Sequence, residues 1–246
     1  MNVSSLFNTT MAAAYLRKQK AKGYHCVEAN NDAIRRDARF LFESINREDG
    51  YFTDEAYFED SYLRSLENAA VKTFIVYHYG EAVATLSLRK IETGSIAEDI
   101  FGVNMRDYLG DEHRTLEVFN LAVERAYRNE TREAVYCLIA MAYIHAIKTG
   151  VKHFVTVGDQ ELLKAVQKRS KVSVLGRDVP SKGDDELEES LLGFTPRFRR
   201  EMVTFSLSMS DIEPPQTVAK QMRVDGSSLY RIASSDSQRR RDVIGF

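Results

Sequence analysis

A carboxylate and three arginines lie close together in "LEVFNLAVERAYRNETREA", residues 116–134. Glu117 stands within an apolar run that is typical of a buried strand, where an unpaired carboxylate is unfavourable. A buried carboxyl group holds its proton more tightly than one in water, which suits a general base. Glu117 is therefore the candidate general base. Two alternatives remain open: Glu117 faces solvent, or it forms a structural ion pair with Arg89.

The arginines follow the strand and precede a helix. The N-terminus of a helix offers unpaired N–H groups and the positive end of a dipole, and both attract anions. Arg125, Arg128 and Arg132 add positive charge there, and Asn129 or Thr131 is expected to cap the helix. This combination predicts a site suited to a phosphate group. The alternative is an ordinary capped helix with surface arginines.

Composition limits the classes of protein that this chain can be. With 246 residues, 43% hydrophobic and 28% charged, it is long and apolar enough for a sizeable core. A net charge of −2 gives no sign of a nucleic-acid partner. Two cysteines, Cys26 and Cys137, make neither a disulfide framework nor a metal site. No signal peptide and no integral membrane segment are evident, so a cytoplasmic location is expected.

The apolar pattern predicts the elements that position these residues. Strands are expected at 24–29, 116–123, 152–158, 171–176 and 201–209, with a hairpin over 72–91 that turns at Gly80–Glu81. Helices are expected after "NND" at 30–32, over about 54–69, around "FGVNMRDYL", from about 130 to 148 before Gly150, and after Asp159. Simple alternation puts Glu117, Phe119, Leu121 and Val123 on one face of their strand.

The order of these elements is β-α-α-β-β-β-α-β-α-β-β. It predicts an α/β (α+β) fold, with a central mixed twisted sheet and helices on both faces. Residues 1–22 are expected to form a polar helix or a mobile arm, and 23–210 the main domain. The polar, Ser- and Arg-rich residues 211–246 are expected to form an appendage or tail.

Over roughly residues 24–209 this order resembles the GNAT-type N-acyltransferase fold. "SLRKIET" (87–93) looks like the matching hairpin of acyl-homoserine-lactone (autoinducer) synthases, and Arg89 matches its arginine. "LEVFNLAVERAYR" resembles the E-x-x-R-[FL]-x-V strand of those enzymes and of the long-chain N-acyl amino acid synthases. "LAV" followed by a short basic turn is closer to the second group. Two departures stand out: the motif's arginine is Asn120 here, and the family's tryptophan is absent.

The resemblance implies an N-acyltransferase that moves a medium or long acyl group from an acyl-carrier-protein or coenzyme A thioester to an amine such as an amino acid. No permanently bound cofactor and no metal are implied. Backbone N–H groups of the strand would polarise the thioester carbonyl. The expected donor-binding residues are Leu121, Ala122, Val123, Arg125, Arg128, Asn129, Thr131 and Arg132. The expected acceptor-binding residues are Arg89, Phe119 and Asn120.

The partner is expected to be acyl-carrier protein rather than free coenzyme A. GNAT enzymes commonly bind the pyrophosphate with a glycine-rich turn, and "ERAYRNETREA" contains no glycine. A carrier-protein donor lacks that nucleotide diphosphate. A basic set of residues on and after one helix would meet an acidic carrier protein, although it is equally explained as a solvated helix face. It consists of Lys164, Lys168, Arg169 and Lys171.

Two other functions stay open. The first is an autoinducer synthase that uses S-adenosylmethionine, against which Asn120 and the missing tryptophan count. The second is a non-catalytic, regulatory module that binds acyl thioesters. The glycine-free turn and the lack of an obvious general acid favour this module.

Overall fold

The structure is a computed structural model that describes residues 3–52, 71–93, 95, 114–129, 132–168, 171–176 and 202–208. The helix expected over 54–69, the short helix around "FGVNMRDYL" and the 211–246 tail lie outside the described residues. The domain boundaries after residues 22 and 210 stay predictions.

The described elements follow the predicted order, with one addition. The helices are α1 (Val3–Ala21), α2 (Asp32–Glu48), α3 (Arg125–Asn129), α4 (Glu133–Thr149) and α5 (Gln160–Gln167). The strands are β1 (Tyr24–Glu28), β2 (Lys72–His78), β3 (Glu81–Lys90), β4 (Thr115–Val123), β5 (His153–Gly158), β6 (Val172–Gly176) and β7 (Val203–Ser208). A 3-10 turn, Ile91–Thr93, follows β3. The addition is α3, a helical turn that the apolar pattern did not predict.

Three of the expected helix ends are confirmed. The Asn31 side chain accepts a hydrogen bond from the Ile34 N–H at 3.0 Å, and the Asp159 side chain accepts one from the Leu162 N–H at 2.7 Å. Gly150 ends α4 with a φ of 71°, a conformation that glycine adopts without strain. These ends were predictable because capping depends on neighbours in the sequence.

The strands form one mixed sheet in the order β1-β2-β3-β4-β5-β7-β6. All neighbouring pairs are antiparallel except β4 and β5, which are parallel. The parallel pairing runs from Thr115↔His153 to Val118↔Thr156, whereas β4 continues to Val123. The strand–helix–strand order predicts a parallel pair that separates toward its C-terminal end, and the structure confirms it.

The hairpin of β2 and β3 turns one residue earlier than predicted. His78 pairs with Glu81, so the turn residues are Tyr79 and Gly80 rather than Gly80 and Glu81. Both have positive φ, 49° and 93°. Two-residue hairpin turns favour positive φ at both positions because this backbone matches the twist of the strands. The expectation was wrong because Tyr79 does not belong to the residue types that usually mark such a turn.

The main core lies between one face of the sheet and the helices α1 and α4. Leu86, Leu88 and Leu116 of the sheet pack there with Tyr15 of α1 and Leu138 of α4. Of the two expectations for residues 1–22, a helix or a mobile arm, the structure shows the helix. It packs on α4 because its apolar residues cover an otherwise exposed side of that nearly all-apolar helix.

The opposite face of the sheet is covered by α2. Tyr77 of β2 donates a hydrogen bond from its hydroxyl to Asp37 of α2 at 2.6 Å. The buried residues of α2 are the four that recur at helical spacing in the sequence: Ala38, Leu41, Phe42 and Ile45. Helices on both faces of a mixed sheet are thereby confirmed. Among the described helices, none is long and apolar enough to cross a membrane.

Tyr15 gives a first testable prediction about this core. Its ring packs edge-on against Tyr136 at 6.4 Å, and its buried hydroxyl has no hydrogen-bond partner among the described residues. A buried polar group without a partner costs about 1–3 kcal/mol. Tyr15→Phe should therefore raise the free energy of unfolding by about 1 kcal/mol, measured by urea denaturation. A decrease would show that the hydroxyl is hydrogen-bonded in solution.

Candidate functional site

Glu117 is buried in an ion pair. It lies directly opposite Arg89 in the β3–β4 register, and Arg89 Nη2 donates to Glu117 Oε2 at 2.9 Å. Ser95 donates its hydroxyl to the other carboxylate oxygen, Oε1, also at 2.9 Å. Glu117 is 1% exposed and Arg89 5%. The structure thus shows the ion pair that the sequence left open as an alternative, while the role of general base stays a prediction.

Arg89 and Phe119 are buried together beside Glu117 and are not exposed to a bound substrate. The Arg89 guanidinium stands over the Phe119 ring, 5.6 Å from its centroid, and both residues are buried. A cation over an aromatic face is stabilised by the ring quadrupole. Arg89 is therefore fixed by Glu117 and by Phe119. Of the three residues expected to bind the acceptor, Asn120 lines a groove on the α2 face of the sheet.

A β-bulge interrupts β4 at Asn120. Ser87 pairs with Phe119 and Thr85 with Ala122, so β4 has one residue more than β3 between these pairs. Asn120 has a φ of 51°, in the left-handed region. Asparagine tolerates this conformation better than most residues, because its short polar side chain can hydrogen-bond locally. The bulge is a feature that the strand pattern did not reveal.

The bulge corrects the predicted faces of the strand. Leu121 and Val123 were expected to share a face with Glu117, but they pack in the main core beside Leu116 and Val118. One extra residue shifts the alternation of side chains, so every residue after it lies on the opposite face. Glu117 comes before the bulge, and it lies on the same face of the sheet as Phe119, away from the main core.

Beyond the bulge, one edge of β4 is not paired with β5. The β4–β5 pairing ends at Val118, so residues 119–123 have no partner in that strand. Backbone groups in such a position can hydrogen-bond an extended ligand, as at the edge of any sheet. The expected donor-binding residues Leu121, Ala122 and Val123 all lie on this segment.

A groove lies on the α2 face, next to the bulge. The groove is small and partly open to solvent. Asn120 lines it, together with residues of α2, β2 and β3: Arg35, Ala38, Arg39, Phe42, Thr73, Thr85 and Ser87. The groove and the segment of β4 that is not paired with β5 meet at Asn120, so a ligand in one can approach a ligand in the other.

Arg128, one of the three predicted donor arginines, is held by the protein itself. Its Nη1 and Nη2 donate to the two carboxylate oxygens of Asp49 at 3.1 and 2.6 Å, and its Nε donates to the Val123 carbonyl at 2.7 Å. It therefore joins the end of β4 to the end of α2. Arg125 and Arg132 are exposed.

The start of α4 differs from the prediction. The helix begins at Glu133 rather than near residue 130, and its N-cap is Arg132, with a φ of 50° and no side-chain cap. The N-cap position is therefore Arg132 rather than Asn129 or Thr131, and hydrogen bonds from those two side chains stay a prediction. Thr131 and the Asn129 side chain lie outside the described residues.

Aromatic residues anchor α3 to the sheet. The Tyr127 hydroxyl lies 2.9 Å from His78 Nδ1, and the His78 ring stacks on Tyr24 at 4.1 Å. Burial raises the pKa of Tyr127, with Tyr24, Glu81 and Glu124 adding to the shift. The helical turn after β4 is thus held in place by residues of β1 and β2, which are distant from it in the sequence.

Cys137 of α4 is built into the core, whereas His145 of the same helix and Cys26 of β1 are partly buried. Burial raises the pKa of the Cys137 thiol to about 12, with Glu133 adding to the shift, and burial also raises the pKa of the Cys26 thiol. Burial lowers the pKa of His145. A thiol that keeps its proton is a poor nucleophile, so Cys137 is not a candidate for covalent catalysis.

The basic residues expected to meet a carrier protein are exposed where they are described. Lys164, Lys168 and Lys171 lie on and just after α5, and Arg169 lies outside the described residues.

Across the described chain, no group of three or more histidine, cysteine, aspartate or glutamate side chains is arranged to hold a metal ion.

Several residues of the site were not found by sequence reasoning. Arg35 and Arg39 look like ordinary surface arginines of an amphipathic helix, and their i, i+4 spacing was the one available signal. Ser95 and Asp49 carry no signal, because their partners lie 22 and 79 residues away in the chain.

A mixed sheet whose parallel strands separate beside a bulge is the GNAT-like fold. The family model described as "N-acyl amino acid synthase FeeM" matches residues 47–169, half of the chain. The chain therefore belongs to the FeeM family of N-acyl amino acid synthases, and it is an N-acyltransferase. A comparison with curated protein sequences gives no match.

Solved structures show the same fold. FeeM, an N-acyl amino acid synthase from uncultured soil microbes, has a TM-score of 0.58 and 15% identity, covering 79% of this chain and 96% of that one. MesI, a CoA-dependent acyl-homoserine lactone synthase, has a TM-score of 0.51 and 13% identity, covering 83% and 96%. The AHL synthase LasI has a TM-score of 0.50 and 10% identity, covering 76% and 91%. The predicted fold class is confirmed.

Proposed function

We propose that this N-acyltransferase moves a medium or long acyl group from an acyl-carrier-protein thioester to the amine of an amino acid. The observation that carries the proposal is the segment 119–123 of β4. It begins with the Asn120 bulge, lacks a β5 partner and meets the α2 groove. An extended thioester donor and a small acceptor can therefore approach each other at one point.

The donor would lie along the segment of β4 that is not paired with β5. A pantetheine arm carries amide groups, which can exchange hydrogen bonds with the backbone of residues 121–123 as a strand does. The thioester carbonyl would then receive backbone N–H groups at the bulge. Donors aimed at the oxygen of a tetrahedral intermediate typically contribute 10²–10³-fold in rate.

The reaction is an acyl substitution. The neutral amine nitrogen attacks the thioester carbon, the C–S bond breaks, and the thiolate leaves. A proton from the nitrogen ends on the sulfur, so the products are an amide and a thiol. Glu117 is the sequence-based candidate to relay this proton, and its ion pair with Arg89 is the competing role.

The chain's features favour a carrier-protein donor over free coenzyme A. The turn after β4 has no glycine, and the helical turn α3 occupies its place. Exposed positive charge remains at Arg125 and Arg132 for one phosphate, and Lys164, Lys168 and Lys171 are available to an acidic protein. MesI is named as CoA-dependent, so coenzyme A thioesters belong in the same experiment.

The test is a direct assay of the purified protein. It would be incubated with acyl-carrier protein or coenzyme A carrying medium to long chains, together with the standard amino acids and, separately, S-adenosylmethionine. Mass spectrometry should detect an N-acyl amino acid in proportion to the free thiol released. Acyl-homoserine lactone would instead establish the autoinducer-synthase alternative. A thioester that binds but is not consumed with any amine would establish the non-catalytic module.

The arginines give a second prediction. Charge reversal of Arg125 and Arg132 to glutamate should raise the KM for acyl-carrier protein by about tenfold or more, because charge-assisted contacts contribute roughly 1.5–3 kcal/mol each. The KM for the amino acid and the melting temperature should hardly change. Lys148→Glu, at the opposite end of α4, is the matched control. An unchanged donor KM would show that the phosphate is bound elsewhere.

A further inference from the structure

The groove beside Asn120 has a positively charged wall. Arg35 and Arg39 lie one turn apart on α2, on the same face as Ala38 and Phe42, which also line the groove. A spacing of i, i+3, i+4 and i+7 places four side chains on one side of a helix. The floor, formed by the sheet, carries no charge: Thr73, Thr85, Ser87 and Asn120.

Both arginines are fixed through their Nε atoms. Arg39 Nε donates to Glu43 Oε1 at 2.8 Å, and Arg35 Nε donates to the Ala29 carbonyl at 3.2 Å. Arg35 Nη1 also lies 3.5 Å from Asp32 Oδ1. Within the described part of the chain, Nη1 and Nη2 of Arg39 make no hydrogen bond. Arg39 therefore presents its terminal amino groups in a held orientation.

The hydroxyl groups of the floor are already used. Thr73 Oγ1 and Ser87 Oγ share a hydrogen bond of 2.8 Å, and Thr85 Oγ1 donates to the Phe74 carbonyl at 3.1 Å. The binding capacity of the groove thus resides mainly in the guanidinium groups. A planar guanidinium matches a carboxylate, which has two oxygens in one plane, better than it matches an uncharged group.

We infer that Arg39, assisted by Arg35, binds the α-carboxylate of the amino acid acceptor; the inference rests on the function proposed above. The attacking amine must come within about 3–3.5 Å of the thioester carbon, which that function places at the Asn120 bulge. In an α-amino acid the carboxylate carbon is two bonds from the amine. A group that binds this carboxylate must consequently lie beside the bulge, as the α2 wall does.

The carboxylate site makes the enzyme selective for amino acids over amines that lack a carboxylate. A charged hydrogen-bonded pair is worth roughly tenfold to a hundredfold in affinity. Replacing the carboxylate by a carboxamide keeps the shape and removes the charge, so the ratio of kcat/KM for an amino acid and for its own amide measures the contribution of the arginine wall.

The experiment compares this ratio in the wild type and in Arg39→Gln, using the amino acid that is turned over best. The wild type should prefer the acid by about tenfold or more, and Arg39→Gln should lose the preference through a higher KM for the acid alone. Arg39→Lys, which keeps the charge but not the fork, should retain part of it. Arg36→Gln, an exposed arginine of α2 that does not line the groove, is the matched control.

A binding measurement separates this inference from the proposed function. The affinity of N-dodecanoylglycine and of its carboxamide would be measured by titration calorimetry, which needs no turnover. If no amine is acylated, the proposed function fails, and the calorimetric preference still decides the carboxylate site. Equal wild-type affinity or turnover for acid and amide would overturn the site, even with active transfer. A preference that survives Arg39→Gln would overturn it as well.

Discussion

Glu117→Gln should lower the free energy of unfolding by about 3–5 kcal/mol, because it leaves the buried Arg89 guanidinium without its anion. The pair is almost fully excluded from solvent, and Ser95 holds the second carboxylate oxygen. Arg89→Gln should have a similar effect, since it leaves the carboxylate uncompensated. Urea denaturation of both variants would measure these losses.

A double-mutant cycle measures the energetic coupling between Glu117 and Arg89. Glu117→Gln combined with Arg89→Gln should cost clearly less than the sum of the single changes, because no buried charge then remains. Glu28→Gln, which breaks the exposed pair of Lys72 and Glu28 at 2.7 Å, is the control and should cost no more than about 1 kcal/mol. Additive single and double variants would contradict a coupled buried pair.

The same variant also decides between the two roles of Glu117. A positioned general base contributes roughly 10²–10⁴-fold in rate, so its loss would lower kcat per folded molecule by that factor. Because both oxygens of the Glu117 carboxylate already accept hydrogen bonds, from Arg89 and from Ser95, we expect the Glu117→Gln protein that remains folded to keep most of its kcat. A severe loss of kcat with unchanged stability would instead establish Glu117 as the base.

Asn120→Val should lower kcat/KM by about a hundredfold, a loss similar to the removal of one oxyanion-hole donor. A β-branched residue is strongly disfavoured at a φ of 51°. The variant is expected to relieve this strain by shifting the backbone of residues 119–122. The N–H groups that would polarise the thioester carbonyl then point elsewhere.

Asn120→Gly provides the matched comparison, because glycine adopts positive φ without strain. It should keep the bulge and most of the activity, although it removes the side chain that lines the groove. Activity would be measured with saturating donor, and the melting temperature would confirm that both variants fold. A fully active Asn120→Val, or an inactive Asn120→Gly with normal donor KM, would show that the bulge geometry is not what polarises the thioester.

Local patterns in the sequence determined much of the fold. The apolar spacing of α2 identified its buried face, and Asn31 and Asp159 marked helix starts because capping acts within three residues. The order of strands and helices implied the parallel pair β4–β5, since a strand–helix–strand unit closes in one hand. The strand motif around Glu117 also indicated the correct family, because a motif of consecutive residues can be recognised without knowledge of the fold.

Tertiary structure alone decided how the site is assembled. The extra residue at Asn120 lies in β4 and has no counterpart in β3, so the faces of Leu121 and Val123 could not be predicted by alternation. Arg128 was assigned to a phosphate, but the folded chain brings Asp49 to it across 79 residues. The groove likewise combines residues of α2 with residues of three strands that are distant in the sequence. Such contacts depend on which surfaces meet when the helices pack on the sheet. The sequence around one side chain does not show which distant residue will contact it.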